Sequence, residues 1–439
     1  MTRNGSFRDL DQWLAWLVTL TPNEIQLGLE RVSEVLARLD PKRPGLVIHV
    51  AGTNGKGSCV AMLEAFLRRL SLKVGGYTSP HLQQYNERIR IDGTDCTDAE
   101  VLAAFERVEA ARQGVPLTYF EFGTLAALCV FEAHEVDALV LEIGMGGRLD
   151  AVNAVAPDAG IITNVGLDHC EWLGHDLETI GAEKAGILRP GRPFVFGAAQ
   201  LPASVARRAA EIGAVLLVAD RDYRAERSTG PAGPWSWTGR RIRIGGLKPP
   251  SLGAIAQIDN AAAVLALLEA LGKDEVLQAD TVNDVLGSLS LAGRWQTVHS
   301  GRDWLLDVAH NADAARVLAA SLQAYYPQRR IIAVIGMLGD KDIGGVIEHL
   351  RSVVDTWIAV TALSPRARPA LELATTVAQI CNRPCLVADS IEQALDEAAV
   401  RAGADDIALV CGSFYVVGPA LDALYSRRHS GPAPRKPGY

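Results

Sequence analysis

Val47-Ile48-His49-Val50-Ala51-Gly52-Thr53-Asn54-Gly55-Lys56-Gly57-Ser58 is the stretch on which the fold turns. Val47 to Val50 reads as the end of a buried strand. Gly52, Gly55 and Gly57 punctuate a tight loop. From Val60 onward, Met62, Leu63, Phe66, Leu67 and Leu70 fall at helical spacing. A glycine loop that opens a helix turns backbone N–H groups toward one point, where the helix dipole adds partial positive charge. Lys56 adds a full charge, and the hydroxyl of Ser58 can hold a Mg2+ ion. Together these predict a triphosphate site of strand, loop and helix. The loop departs from the general nucleotide pattern, because Gly57 stands between Lys56 and Ser58 and the Gly52-to-Gly55 spacing is short. The competing reading is an ordinary βα turn with a surface lysine. Three glycines, a lysine and a hydroxyl within seven residues are more than such a turn needs.

Outward from this loop, the chain has 439 residues, more than a single core usually serves, so two domains are expected. Hydrophobic residues make up 49%, which supports sizeable cores and argues against disorder. The net charge of -8, with both signs mixed along the chain, disfavours nucleic acid as a partner. No run is long enough to span a membrane, and the N-terminus lacks a signal-like apolar core. The seven cysteines have no disulfide or metal spacing, and their odd number fits a reducing cytoplasm.

Residues 8–39 have a helical pattern, from Leu10, Trp13, Leu14 and Leu17 and, beyond Pro22, from Ile25, Val32, Val35 and Leu39. Lys73 to Tyr77 reads as a strand that ends in Thr78-Ser79-Pro80-His81-Leu82, a candidate active-site loop. Gln83 to Asp98 is polar and turn-rich, placed to cover the site. Helices are expected from Asp98, with its cap at Thr97 or Asp98, and from Thr118. Val136 to Ile143 is the clearest buried strand, and Glu142 interrupts it. In open α/β sheets ligands gather past the carboxyl ends of strands, so Glu142 is read as a magnesium ligand, against a salt bridge with Arg148. The strand Ala159 to Asn164 leads to His169, which faces the same crevice or is a core histidine satisfied by Asp168. Lys184, considered alone, reads as a surface lysine.

Residues 221–256 read as short antiparallel strands. A helix is expected over Ala261 to Leu271, with Asp259 or Asn260 as its cap or Asn260 at a base edge. Gly293 to Gln296 reads as the end of that helical segment. A second alternating α/β unit follows, so the domains are placed at 1–297 and 298–439. The tail from Ser430 reads as frayed.

The motifs then become specific. HVAGTNGKGS (49–58), TSPHL (78–82), TYFEFGTLAAL (118–128), LEIGMGGRLDAVN (141–153), LDHCEWLG (167–174), EKAGI (183–187), GRWQ (293–296), DVAHN (307–311), IGMLGDKD (335–342) and CGSF (411–414) resemble, over nearly the whole chain, the bacterial bifunctional dihydrofolate synthase/folylpolyglutamate synthase family of the Mur ligase superfamily. The resemblance implies an α/β fold: a Rossmann-like P-loop ATP-binding ligase domain that also binds folate, then a smaller Rossmann-like α/β domain for glutamate. It implies ATP-dependent joining of L-glutamate to dihydropteroate, and of further glutamates to reduced folates, through an acyl phosphate. Its glycine between lysine and hydroxyl accounts for the loop's odd spacing.

By the same resemblance, Gly52, Thr53, Asn54, Gly55, Lys56, Gly57 and Ser58 hold ATP, with Asn260 at the base edge and Arg294, Asp307 and His310 as further nucleotide contacts. Ser58, Ser79, Glu142 and His169 serve two Mg2+ ions. Lys56, His169 and Lys184 are the catalytic candidates, with Lys184 matching a lysine that CO2 converts to a carbamate. Retention as an amine touching phosphate is the alternative for Lys184. Thr118 and Phe120 match the pterin pocket, an apolar helix start being their competing role, and Ser413 matches a glutamate contact. A K+ ion is compatible with the family, though no motif here resolves it, and a cytoplasmic monomer is expected. One departure is Ala312, where the family often has a proline after DVAHN. The alternatives are a monofunctional folylpolyglutamate synthase, a Mur-type ligase for another acid, and a non-catalytic nucleotide-binding module.

Overall fold

The computed structural model describes residues 7, 9–21, 26–228, 230 and 233–429. Pro22, Ile25 and the tail from Ser430 lie outside the described residues. The chain divides into two compact units, Met1–Ser251 with Ala256–Leu289, and Leu252–Ile255 with Ser290–Tyr439.

The first unit opens with helices α1 (Leu10–Leu17) and α2 (Glu30–Leu39), followed by β1 (Leu46–Ala51), α3 (Lys56–Arg69), β2 (Val74–Tyr77), β3 (Ile89–Ile91) and β4 (Thr94–Asp95). Next come α4 (Asp98–Arg112), α5 (Tyr119–Ala133), β5 (Ala138–Glu142), β6 (Ala159–Ile162), α6 (Cys170–Leu173) and α7 (Leu177–Lys184). The unit continues through β7 (Pro193–Phe196), α8 (Ala203–Ile212), β8 (Val215–Val218), β9 (Arg224–Arg227), β10 (Trp235–Thr238), β11 (Arg243–Leu247), α9 (Gln257–Ala270) and α10 (Ala279–Ser288). The main sheet has eight strands in the order β4-β3-β2-β5-β1-β6-β7-β8. Its strands from β2 to β8 are parallel, as alternating strands and helices require. The chain leaves β5 on one side of β1 and resumes with β6 on the other. That reversal makes the carboxyl ends of β1, β5 and β6 a topological switch point, the place where open α/β sheets bind ligands. The 83–98 segment differs from expectation, since β3 and β4 pair antiparallel and extend the sheet edge. As expected over 221–256, β9, β10 and β11 form a separate antiparallel sheet, anchored by the buried rings of Trp235 and Trp237.

The second unit contains β12 (Gln296–His299), β13 (Asp303–Asp307), α11 (Ala312–Tyr325), β14 (Ile331–Ile335), α12 (Ile343–Leu350), β15 (Thr356–Val360), α13 (Ala370–Cys381), β16 (Cys385–Ala388), α14 (Ile391–Arg401), β17 (Ile407–Cys411) and α15 (Phe414–His429). Its sheet order is β12-β13-β17-β14-β15-β16. The division at Leu289/Ser290 precedes the 297/298 boundary read from the sequence. The reason is local: Gln296 to His299 pair antiparallel with β13, so this segment opens the second sheet instead of ending a helix. Leu252–Ile255 joins the second unit because the Trp295 ring lies against Gly253, where a Cβ would stand 1.7 Å from Trp295 Cδ1. Ala312 is the first residue of α11, after the capping Asn311, the position where proline is favoured. Among the described residues, no helix is long and apolar enough to cross a membrane.

Candidate active site

The phosphate loop is built by close packing against the end of β6. Gly52 has φ 147°, and a Cβ there would stand 1.8 Å from Thr163 Oγ1, so only glycine fits. Gly55 caps α3 at φ 85°, where a Cβ would stand 2.6 Å from Asn260 Oδ1. Asn164 Oδ1 accepts from the N–H groups of Thr53 (3.2 Å) and Asn54 (3.0 Å), and Thr163 Oγ1 donates to the Asn54 carbonyl at 2.6 Å. Thr53 and Asn54 therefore use their amides to shape the loop. The donors for an anion are those of the first turn of α3, from Lys56, where a helix has no acceptors of its own. Lys56 Nζ donates to the carbonyls of Gly52 (3.1 Å) and Thr53 (3.3 Å), inside the loop and not out in solvent. Thr163 and Asn164 were missed as site residues. Their only signal was their place at the end of a strand next to β1.

Asn260 is not a cap. Helix α9 starts at Gln257, and Asn260 Nδ2 donates to Gln257 Oε1 at 3.0 Å. Asp259 pairs with Arg227 at 2.9 Å. Asn260 thus abuts the loop glycine, consistent with a place near a nucleotide.

Glu142 ends β5 in register with Val50, while Leu141 pairs with Tyr77 just before the TSPHL loop. The carboxylate is buried, 4% exposed, and Oε2 accepts from Ser79 N–H at 3.3 Å. A Cβ on Gly57 would stand 3.6 Å from the same oxygen. Arg148, offered as its salt-bridge partner, pairs with Glu183 at 2.8 Å. Ser58, the residue after Gly57 on α3, is buried, and Ser79 is half-buried. His169 caps α6 in a left-handed conformation, φ 51°, is half-buried, and donates its backbone N–H to Asp168 Oδ1 at 2.9 Å. Among the described residues, no three His, Cys, Asp or Glu side chains gather as a cage. Carboxylate and hydroxyl oxygens are the donor types that suit Mg2+, which keeps waters and borrows phosphate oxygens.

Lys184 is not on the surface. It is 3% exposed at the end of α7. Burial and the neighbouring charge of Lys56 lower its pKa to about 7, opposed by Asp168 and Asp150. Its burial comes from glycine packing. A Cβ on Gly147 would stand 2.8 Å from the Glu183 carbonyl, and one on Gly186 would stand 2.4 Å from Arg148 Cα. Asp150 accepts from Met145 N–H (2.8 Å) and Val152 N–H (3.0 Å). Burial pushes Asp150 up to about 7, against the pull of those donors and of Lys56. Asp150 lay within a quoted motif without a role. A carboxylate three residues after a glycine run at a strand end was the available signal.

Thr118 caps α5 in a reciprocal box: Glu121 N–H donates to Thr118 Oγ1 (3.2 Å) and Thr118 N–H to Glu121 Oε2 (2.7 Å). Phe120, half-buried, lies over Gly144, where a Cβ would stand 2.6 Å from its ring, and its centroid is 6.0 Å from that of Tyr77. Thr118 thus has a structural duty, while Phe120 walls the glycine run past Glu142.

In the second unit, Asp307 ends β13 in register with Cys411 of β17. Its carboxylate accepts from Trp295 N–H (3.0 Å) and Ala309 N–H (2.9 Å). Burial raises its pKa, and Arg294 opposes that shift. The Arg294 guanidinium lies 5.4 Å from the Phe414 ring centre, and the His310 ring lies 6.2 Å from the same ring. Ser413 is buried, and its Oγ accepts from Tyr415 N–H at 3.2 Å at the start of α15. Register and ring contacts therefore gather Arg294, Asp307, His310 and Ser413 at one end of this sheet.

A phosphate loop, a switch-point carboxylate and a second α/β unit define a Mur-type ligase. Family models agree: the Mur ligase middle domain matches residues 50–196, and the Mur ligase glutamate ligase domain matches residues 293–414. The dihydrofolate synthase/folylpolyglutamate synthase of Escherichia coli (strain K12) is 40% identical over 423 residues, covering 96% of this chain and 97% of that protein. The structure of E. coli FolC in complex with DHPP and ADP superposes with a TM-score of 0.89 at 39% identity, covering 96% of this chain and 99% of the other. The bifunctional folylpolyglutamate synthase/dihydrofolate synthase of Yersinia pestis, complexed with AMPPNP and a Mn ion, gives 0.87 at 40% identity, covering 95% and 98%. The chain belongs to the dihydrofolate synthase/folylpolyglutamate synthase family of Mur ligases.

Proposed function

We propose that this chain is an ATP-dependent amide ligase that joins L-glutamate to 7,8-dihydropteroate and adds further glutamates to reduced folates. The observation that carries this reading is the buried Glu142 carboxylate at the switch point, shared by Ser79 of the TSPHL loop and the Gly57 turn of the phosphate loop. A salt bridge to Arg148 has no need of that placement. The relatives' ligands, DHPP, ADP and AMPPNP with Mn, support the same substrates and a divalent ion here.

In the first step the carboxylate of the pterin acid attacks the γ-phosphorus of ATP, the bond to ADP breaks, and an acyl phosphate forms. Two anions meet, so their repulsion must be offset. The first turn of α3 and Lys56 bind the phosphates. Ser58, Ser79, Glu142 and His169 would hold Mg2+, which supplies charge neutralisation when bound. The glutamate amine then attacks the acyl carbon, and phosphate leaves with the bond to oxygen. Phe120 and Thr118 flank the pterin acid in this proposal, and Asn260 faces the nucleotide. Arg294, Asp307 and His310 contact the nucleotide and Ser413 the incoming glutamate. The first domain carries ATP and folate, the second glutamate. Lys184, as a carbamate, would support the metal's water shell. The seven free cysteines support a cytoplasmic setting.

Glutamate-dependent ADP release, measured with dihydropteroate and with tetrahydrofolate, tests this. Release with both supports the two activities. Release with tetrahydrofolate alone makes the chain monofunctional, and release with neither rejects the assignment.

A further inference from the structure

Three buried or half-buried charged groups outside the site converge on the loop that carries Ser79. Glu64 lies on α3, the helix that also carries Lys56 and Ser58. Its carboxylate accepts from Arg90 Nη2 at 2.8 Å and Nε at 3.2 Å. Arg90, on β3, also donates from Nη1 to Thr78 Oγ1 (2.9 Å) and to the Glu87 carbonyl (3.0 Å). One guanidinium thereby ties the phosphate-loop helix to the residue preceding Ser79. The Glu87 carboxylate gathers the next part of the loop, accepting from three consecutive N–H groups: Leu82 (2.7 Å), Gln83 (2.8 Å) and Gln84 (2.7 Å). Between the two attachments, Ser79 N–H reaches Glu142 at 3.3 Å.

Stability alone is a poor reason for this arrangement. A buried ion pair is often no better than an apolar pair of the same volume. Here the burial is demanding as well. Glu64 Oε1 has no hydrogen-bond partner among the described residues. A Cβ on Gly76 would stand 1.5 Å from that oxygen, so only glycine admits the carboxylate there. What the network does provide is geometry, since it fixes the Ser79 loop against the helix that presents Ser58.

We propose that Glu64, Arg90 and Glu87 are positioning residues for the divalent ion, setting Ser79 against Glu142 and Ser58. This rests on the ligase reading above. Residues that orient metal ligands typically change metal affinity about 10- to 100-fold when replaced. Arg90→Lys keeps a positive charge opposite Glu64 but lacks the fork that reaches Thr78 at the same time. Glu87→Gln keeps the shape but turns one acceptor into a donor facing backbone N–H groups.

The test is Mn2+ titration of the full chain with AMPPNP, followed by electron paramagnetic resonance, for the parent and both variants. Melting curves serve as a check of folding. The expected result is Mn2+ affinity about tenfold or more weaker in a folded variant, with metal-free AMPPNP affinity unchanged. In turnover, the apparent KM for Mg2+ rises, the KM for L-glutamate stays, and excess Mg2+ restores rate. A folded variant within about twofold of the parent for Mn2+ overturns the inference, as does an equal loss of metal-free nucleotide affinity. Should one variant not fold, the other decides. A parent that does not bind Mn2+ with AMPPNP overturns the ligase reading instead.

Discussion

If Lys184 has its proposed role it should react with CO2, and the size of the effect follows from its surroundings. Only the neutral amine adds CO2: the nitrogen lone pair forms the N–C bond, and one proton leaves for solvent. At the ordinary pKa of 10.5, about 0.1% of the amine is neutral at pH 7.5. With the pKa lowered to about 7, the neutral share is about three-quarters, a gain of about 700-fold. Lys56 repels the ammonium but attracts the carbamate, so it favours the modification on both sides of the reaction. Asp150 opposes a carbamate less than a normal aspartate would, because burial keeps it partly protonated near neutral pH. The expected outcome is a carbamate carbon resonance in protein incubated with 13C-bicarbonate at pH 7.5 to 8, absent in Lys184→Arg. Turnover should fall in CO2-stripped buffer and recover on adding bicarbonate. The sample must stay out of acid, where carbamates lose CO2. An active parent with no resonance, and with turnover indifferent to CO2 removal, would refute the role.

Lys56→Ala should lower turnover by about 10²- to 10³-fold through lost stabilisation of the transferring phosphoryl group, and equal parent and variant rates at limiting ATP would contradict this. Gly186→Ala places a methyl 2.4 Å from Arg148 Cα, a backbone atom that cannot swing away. It should cost about 1–3 kcal/mol, read as a lower urea midpoint, and an unchanged midpoint would show that the two segments are not tightly docked. Burial and the charge of Arg189 lower the His49 pKa from 6.5 to about 3, so the folded ring stays neutral while the unfolded one charges. Stability is therefore full above pH 6.5 and falls as pH drops toward 3, by about 2 kcal/mol at pH 5. His49→Leu should flatten that slope, and parallel pH profiles for parent and variant between pH 8 and 5 would count against it.

The strand, loop and helix around Lys56 were legible because glycine spacing and apolar period agree there. Glu142 was legible because a carboxylate breaks an apolar run at a strand end. The burial of Lys184 was not, since Glu183 and Gly186 look like surface neighbours. It depends on glycines near residue 147, far away in sequence, allowing two backbones to touch. Strand β12 escaped because a four-residue strand beside Gly293 carries too little period to distinguish it from a helix end. The β3–β4 edge was hidden by polar residues that face outward or serve the Ser79 loop. The use of Thr53 and Asn54 amides by Asn164 was also out of reach, because only the sheet order brings the end of β6 beside β1.

That last contact has a thermodynamic consequence for nucleotide capture. With two loop amides already engaged by Asn164 and the Asn54 carbonyl held by Thr163, the cradle has its shape before any triphosphate arrives. Little backbone entropy should then be lost on association, and in its proposed role Lys56 would exchange the carbonyls of Gly52 and Thr53 for phosphate oxygens. Capture of the tail should thus resemble docking into a rigid mould, with a single lysine as its latch.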